Sequence, residues 1–181
     1  LDEPGTLDST KCLSYWTQAP APIPDEYRAD LGDSVYGCDI CQDVCPWNTG
    51  TEKRRRGVEV SEDATPTVSL REWLERDGRE LVADLDRLYV PRKDPRWLRR
   101  NALVAAGNAG GPELLPVVER YADDGDPVLR DAAGWALALA FGKGETVDGD
   151  TQKMAEQMLL AAEQRGGDAR VYVAHAHLLL V

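Results

Sequence analysis

Residues 36–48 read Tyr36-Gly37-Cys38-Asp39-Ile40-Cys41-Gln42-Asp43-Val44-Cys45-Pro46-Trp47-Asn48, and this stretch decides how the rest of the chain is read. It places three cysteines at C-x2-C-x3-C and follows the last with proline. That spacing is the tail of a C-x2-C-x2-C-x3-C-P run, in which thiolates hold an iron–sulfur cluster and the cysteine before proline serves a second cluster. The remaining cysteine, Cys12, lies upstream. All four therefore read as cluster ligands, and four are too few for two clusters.

Other metal and redox readings fit less well. A structural zinc site takes four ligands in a tetrahedron, commonly as two paired knuckles. Cys38 and Cys41 make one such pair, but Cys45 follows too soon to open a second. A disulfide framework belongs to exported chains. Residues 1–20 are polar and carry no basic leader, so the compartment reads as a reducing cytoplasm. The x2 and x3 spacings together with the proline favour iron–sulfur, with zinc behind it.

Bulk properties set the limits. A chain of 181 residues is long enough for one or two domains with a sizeable core. Hydrophobic content of 43% and charged content of 29% fit a globular protein. No apolar run approaches the roughly 18 residues of a membrane span. The first residue is Leu1, and the N-terminal part reads as missing. The net charge of −11 argues against nucleic acid as a partner at face value. The charge is uneven, however. Arg87, Arg92, Lys93, Arg96, Arg99 and Arg100 face a single acid, Asp94, and a second basic cluster runs Lys53-Arg54-Arg55-Arg56. Screening confines each field to about 8–10 Å, so a basic patch can hold phosphate on an acidic protein.

The chain divides by texture. Residues 1–50 are rich in Pro, Gly and Asp, and Pro20, Pro22 and Pro24 forbid a helix there. They read as a partial, irregular, ferredoxin-like 4Fe–4S segment that folds around its metal. Residues 51–90 read as a linker, polar over 51–67, and connecting helices. Ser69 and Glu72 form a capping box for a short helix that Gly78 ends. Leu81, Leu85 and Leu88 predict a second helix stopping before Pro91. Residues 91–181 read as a HEAT-like helical repeat domain. Asp94-Pro95 and Asp126-Pro127 each open a helix, 32 residues apart, and Pro112 begins the helix between them. A helix pair recurring at that period marks an α-solenoid. Residues 151–165 and 168–180 predict a capping helix pair. The fold class is thus mainly α, an iron–sulfur segment followed by a HEAT-like solenoid. Trp97 and Trp135 read as core, Trp47 as a shield for the cluster, and His175 and His177 as structural histidines, since zinc would need further ligands.

Three segments carry a more specific resemblance. The 36–48 stretch, preceded by Lys11-Cys12-Leu13-Ser14-Tyr15, resembles the epoxyqueuosine reductase family. So do Trp97-Leu98-Arg99-Arg100-Asn101-Ala102, running on to Gly107-Asn108, and the stretch from Asp126-Pro127 through Asp131-Ala132 to Trp135-Ala136. The resemblance implies reduction of epoxyqueuosine at the wobble position of tRNA, the last step of queuosine synthesis. It implies two 4Fe–4S clusters and a cobalamin, whose reduced cobalt attacks the epoxide. Cys12, Cys38 and Cys41 match three ligands of the cluster nearer the cobalamin, and Cys45 matches a ligand of the other. Ser14, Gly37 and Asp39 adjoin these ligands and are implied to border the cobalamin. The helical tail is implied to grip the tRNA anticodon stem-loop through Lys93, Arg99, Arg100 and Asn101, near the start of a helix whose free N–H groups would add to anion attraction.

The resemblance further implies a cytoplasmic monomer served by an external electron donor, with no membrane contact. The family's cobalamin domain, its acidic proton donor and its complete cysteine motif are not in these residues, so no catalytic residue is assigned here. The chain is expected to be a C-terminal fragment, inactive alone. Two rivals stand beside this reading: a ferredoxin-type electron carrier with a HEAT-like partner-docking domain, and a zinc-bearing interaction module.

Overall fold

The computed structural model describes residues 5–55 and 66–142. Among these the chain is helical and contains no strand. The helices are α1 (Leu13–Gln18), α2 (Asp25–Arg28), α3 (Ile40–Asp43), α4 (Pro46–Arg55), α5 (Leu70–Glu75), α6 (Gly78–Asp84), α7 (Arg96–Ala109), α8 (Leu115–Ala122) and α9 (Pro127–Gly142). The predicted helices at 151–165 and 168–180, with His175 and His177, lie outside the described residues.

The stack forms around α7. Its apolar residues Leu98, Ala102, Leu103, Val104, Ala105 and Ala106 are all buried, so the helix is apolar over most of its circumference. It packs chiefly on α9 and also on α5, while α8 packs on α9. Each fully buried Leu or Val contributes roughly 1.5–3 kcal/mol. The α7–α9 crossing is close because small residues meet there. A Cβ at Gly107 would lie 2.8 Å from Ala136 Cα and 2.9 Å from Trp135 Cζ3. Trp135 is buried in the core, as its spacing predicts, whereas Trp97 is half-buried, with the guanidinium groups of Arg96 and Arg100 5.2 and 5.3 Å from its ring.

The two Asp-Pro starts are built alike. Asp94 Oδ1 accepts the Arg96 N–H at 3.0 Å, and Asp126 Oδ1 accepts the Val128 N–H at 2.8 Å. Each carboxylate satisfies a donor that the first helical turn leaves open. Arg96 ties the two together, 2.7 Å from Asp94 Oδ2 and 3.0 Å from Asp126 Oδ2. The N-terminus of α7 is thus occupied by a carboxylate, which repels the anion that the sequence expected its free N–H groups to attract.

Other boundaries shift for local reasons. Ser69 Oγ accepts the Glu72 N–H at 3.2 Å, which is half of the expected box; the Glu72 carboxylate lies 3.6 Å from Arg76. Gly78 does not end α5. It begins α6, because Asp77 caps that helix by accepting the N–H groups of Arg79 and Glu80 at 2.9 and 3.1 Å. These bonds hold the Asp77 carboxyl below its usual range. Helix α6 stops at Asp84, short of the predicted Leu88, where the chain closes a turn through a Leu88 N–H to Leu85 carbonyl bond of 2.9 Å. Pro112 opens a single 3-10 turn before α8. After residue 50 the chain does not become a loop at once, since α4 continues to Arg55.

The irregular segment before residue 37 lies on this stack. Ile23 and Leu31 share its core. Arg28 donates from Nε to the Ile23 carbonyl at 2.8 Å, pairs with Asp131 of α9, and sits 5.8 Å from the Trp135 ring. Gly107→Ala is expected to destabilise the chain by about 1–3 kcal/mol, because a backbone atom stands where the methyl must go. Urea denaturation checks this, and an unchanged midpoint would contradict the close α7–α9 crossing.

Candidate iron–sulfur segment and its clasp

Cys12 ends a 3-10 turn at Ser9–Lys11 and precedes α1. The turn is held by Asp8, whose Oδ1 accepts the Thr10 N–H at 3.0 Å and the Thr10 hydroxyl at 2.6 Å, which lowers the Asp8 pKa. Trp16 Nε1 donates to the Thr10 carbonyl at 2.8 Å and its ring stacks on Tyr27, fixing α1 against the turn.

Helix α1 in turn holds the segment that leads into Cys38. Thr17 is buried; its hydroxyl donates to the Ser14 carbonyl at 2.8 Å and accepts the Gly37 N–H at 2.9 Å. Gly37 has φ +77, a left-handed backbone that glycine adopts at little cost, and it turns the chain immediately before Cys38. Gln18 Nε2 donates to Ser14 Oγ at 3.1 Å. The Tyr36 hydroxyl lies 3.0 Å from the Tyr89 carbonyl and 3.3 Å from Gln18 Oε1, and burial raises its pKa. Ser14 and Gly37 are thereby joined in one network. Asp39 is exposed, and its carbonyl accepts the Gln42 and Asp43 N–H groups at the start of α3. Nothing in these bonds speaks to a cobalamin.

The other two cysteines lie on and just after α3. Cys41 lies in α3 and is exposed; Cys45 directly precedes Pro46 of α4 and, like Cys12 and Cys38, is half-covered. All four are free thiols. Among the described residues, no group of three or more His, Cys, Asp or Glu side chains is gathered to hold a metal ion. The residues present therefore fit part of a cluster ligand set and not a whole one. Trp47, Ile40 and Val44, which lie among the cysteines in sequence, are 88%, 57% and 73% exposed.

Two of the predicted RNA ligands prove to be internal. Arg100 and Asn101 are each 1% exposed. Arg100 Nη1 donates to the Ala19 carbonyl at 2.8 Å and also to that of Ala21, while Nη2 donates to the Trp16 carbonyl at 2.8 Å and to Asn101 Oδ1 at 2.8 Å. Asn101 Nδ2 donates to the carbonyls of Thr17 and Val35 at 2.7 and 2.8 Å, and Asn108 does the same for Arg28 and Gly32 at 2.7 and 2.8 Å. These side chains clasp the backbone of the irregular segment and have no donors left for phosphate. Burial, with Arg28 nearby, pushes Arg100 down to about 10, so it stays charged at neutral pH. Arg99 is half-buried in an open cleft of about 330 Å³ with Glu75, Arg120 and Tyr121, and gives Nη2 to the Arg76 carbonyl at 2.7 Å. Lys93 is exposed. Sequence reasoning missed Thr17 and Tyr36. Their only signal was position, one helical turn after Cys12 and just before Gly37.

Residues 1–48 match the family described as the 4Fe–4S double cluster binding domain. The class that the first part of the chain resembles is therefore that of 4Fe–4S binding domains. More narrowly, most of the chain is similar to epoxyqueuosine reductases. It is 32% identical to the epoxyqueuosine reductase of Bacillus anthracis over 179 aligned residues, covering 92% of this chain and 44% of that protein. It is 29% identical to that of Escherichia coli, covering 91% and 44%. A crystal structure of epoxyqueuosine reductase with an epoxyqueuosine-modified tyrosine tRNA stem loop superposes with a TM-score of 0.71 at 26% identity, over 98% of this chain and 45% of that one. The chain thus spans less than half the length of these reductases.

Thr17→Val removes the acceptor of the Gly37 N–H while keeping the side chain's shape. Hydrogen exchange at the Gly37 amide is expected to rise about tenfold or more, consistent with the ~1 kcal/mol of a typical hydrogen bond and a buried partner left open. Unchanged protection would remove Thr17 from the network. Arg100→Ala leaves several carbonyls without donors and is expected to cost about 3 kcal/mol or more in denaturant titration. A loss under about 1 kcal/mol would contradict the clasp.

Proposed function

We propose that this chain serves in the reduction of epoxyqueuosine to queuosine at the wobble position of tRNA, in a reductase that depends on 4Fe–4S clusters and cobalamin. The observation that carries this reading is the likeness of nearly the whole chain to epoxyqueuosine reductase, including a structure that holds a modified stem loop. The two-part layout also supports it: residues 1–50 as a partial 4Fe–4S segment, 51–90 as connecting helices, and 91–181 as a HEAT-like repeat domain. The repeated Asp-Pro starts at 94 and 126, with matching caps, favour that repeat. The partners follow from the reading: the tRNA anticodon stem-loop and an external electron donor, in the cytoplasm, with the enzyme a monomer. No helix among the described residues is long and apolar enough to cross a membrane.

The part this chain plays is bounded by its ligands. Each 4Fe–4S cluster takes four thiolates, and the chain has four in all. Cys12, Cys38 and Cys41 are assigned to one cluster and Cys45 to the other, so both need thiolates from another polypeptide segment. Clusters, when bound, supply electron transfer. The chain's own residues hold and orient: Thr17 and Gly37 fix the approach to Cys38, the Asp39 carbonyl accepts the first N–H groups of the helix bearing Cys41, and the clasp from α7 keeps this segment on the helical stack. Ser14 and Gly37 are the residues proposed to lie toward the cobalamin, with Asp39 beside them.

Reconstitution of the isolated chain with iron and sulfide is expected to give fewer than two intact clusters by absorbance and iron count, and no queuosine from epoxyqueuosine tRNA. Supplied with a polypeptide bearing the complementary cysteine motif, the pair is expected to hold both clusters and form queuosine, and Cys45→Ser is expected to abolish the product. Two intact clusters on the isolated chain would overturn the divided ligand set. A fully loaded pair that leaves epoxyqueuosine untouched would overturn the proposed reaction.

A further inference from the structure

Residues 89–93 form a surface turn with three features that the fold does not need. Arg92 and Lys93 both have positive φ, +56 and +51, in succession. Non-glycine residues rarely enter that region, and two together persist only where their surroundings impose it. Here Pro91 is buried, and the Lys93 and Asp94 N–H groups donate to the Val90 and Pro91 carbonyls at 2.9 and 3.1 Å. The result of the strain is that both cationic side chains are exposed. Neither enters an ion pair among the described residues, and the adjacent acid, Asp94, is taken by Arg96. Beside them Tyr89 stands 67% exposed.

The turn is not isolated from the cysteine segment. The Tyr89 carbonyl takes the hydrogen bond from Tyr36, the residue before Gly37 and Cys38. One hydroxyl thus fixes the distance between the exposed aromatic ring's backbone and the chain entering Cys38.

We propose that the Tyr89–Lys93 turn is an RNA contact, in which Tyr89 stacks on an unpaired base of a stem-loop and Arg92 and Lys93 hold its phosphates. The inference rests on the tRNA reading above and replaces Arg100 and Asn101 as the contact. An unpaired base offers a flat face to an aromatic ring, and cations beside that ring suit the backbone on either side of it. With a net charge of −11 over the chain, a polyanion is held only where positive charge is left unneutralised, as it is at Arg92 and Lys93. An acidic protein surface would use the two cations but has less use for the bare ring between them and the cysteine segment.

Fluorescence anisotropy with the full chain, a labelled tRNA anticodon stem-loop and a loopless RNA duplex tests this. Arg92→Asn with Lys93→Asn suits the left-handed backbone and removes both charges. It is expected to weaken stem-loop binding about tenfold and to lower the slope of log affinity against log salt by about one to two, while the melting temperature holds or rises. Tyr89→Ala is expected to weaken stem-loop binding about tenfold and leave the duplex unchanged, and Tyr89→Phe to restore it. If the unaltered chain binds the stem-loop and these variants bind as well, the turn is not the contact, though the tRNA reading stands. If the unaltered chain binds no stem-loop, both fall. If the variants lose binding to polyglutamate and keep RNA binding, the turn docks acidic protein and the proposal is wrong.

Discussion

The described structure depends on one buried cation. Arg100 is withdrawn from solvent without a carboxylate beside it, a placement whose desolvation costs several kcal/mol unless every donor is met. Backbone carbonyls of residues 16–21 meet them, with the Asn101 side chain completing the set. The interaction offsets two liabilities at once. The carbonyls of Trp16 to Ala21, at the end of α1 and just beyond it, are left open by that short helix, and α7 has a charge it does not expose. Each solves the other's problem, and the segment that leads to Cys38 is fixed to the helical stack as a consequence.

That arrangement explains why the two halves of the chain work as a unit although their textures differ. The helices α7, α8 and α9 pack on one another through apolar side chains. The cysteine segment has no comparable core: Ile23 and Leu31 are its buried anchors, and beyond Gly37 the apolar side chains point outward. Order therefore runs from the stack through Asn101, Thr17 and Gly37 to the thiols. Ile40, Val44 and Trp47, all exposed, lie at the far end of that sequence.

Much of this was legible in the amino-acid order, and the limits have physical causes. The cysteine spacing is a covalent constraint on cluster geometry, so it points to its chemistry without a structure. The Asp-Pro starts were equally readable, because a cap acts within one turn. Arg100 and Asn101 were misread as surface ligands, since arginine is rarely buried and nothing local announces an acceptor 80 residues away. Their partners are main-chain carbonyls, which leave no trace in side-chain identity. The same holds for Thr17, a common residue whose role comes from where its hydroxyl points. The end of α5 was misjudged by crediting Gly78 over Asp77, when a carboxylate accepting two N–H groups is the stronger local signal. The turn at Arg92 was hidden altogether, because neither residue type favours positive φ.

Recognition through main-chain carbonyls has an evolutionary consequence. A contact between side chains ties two positions together, so a change at one demands a change at the other. Here the clasp reads the path of residues 16–21 through their carbonyls, and it leaves Pro20 and Ala21, whose side chains make none of these bonds, free in identity. The segment can drift in sequence while its course past α7 is kept, provided the Arg and Asn remain. Among relatives, identity in this arm is therefore a poor measure of how similarly it is folded. A designer could rewrite Pro20 or Ala21 for solubility or partner choice without losing the anchor that holds the cysteines in place.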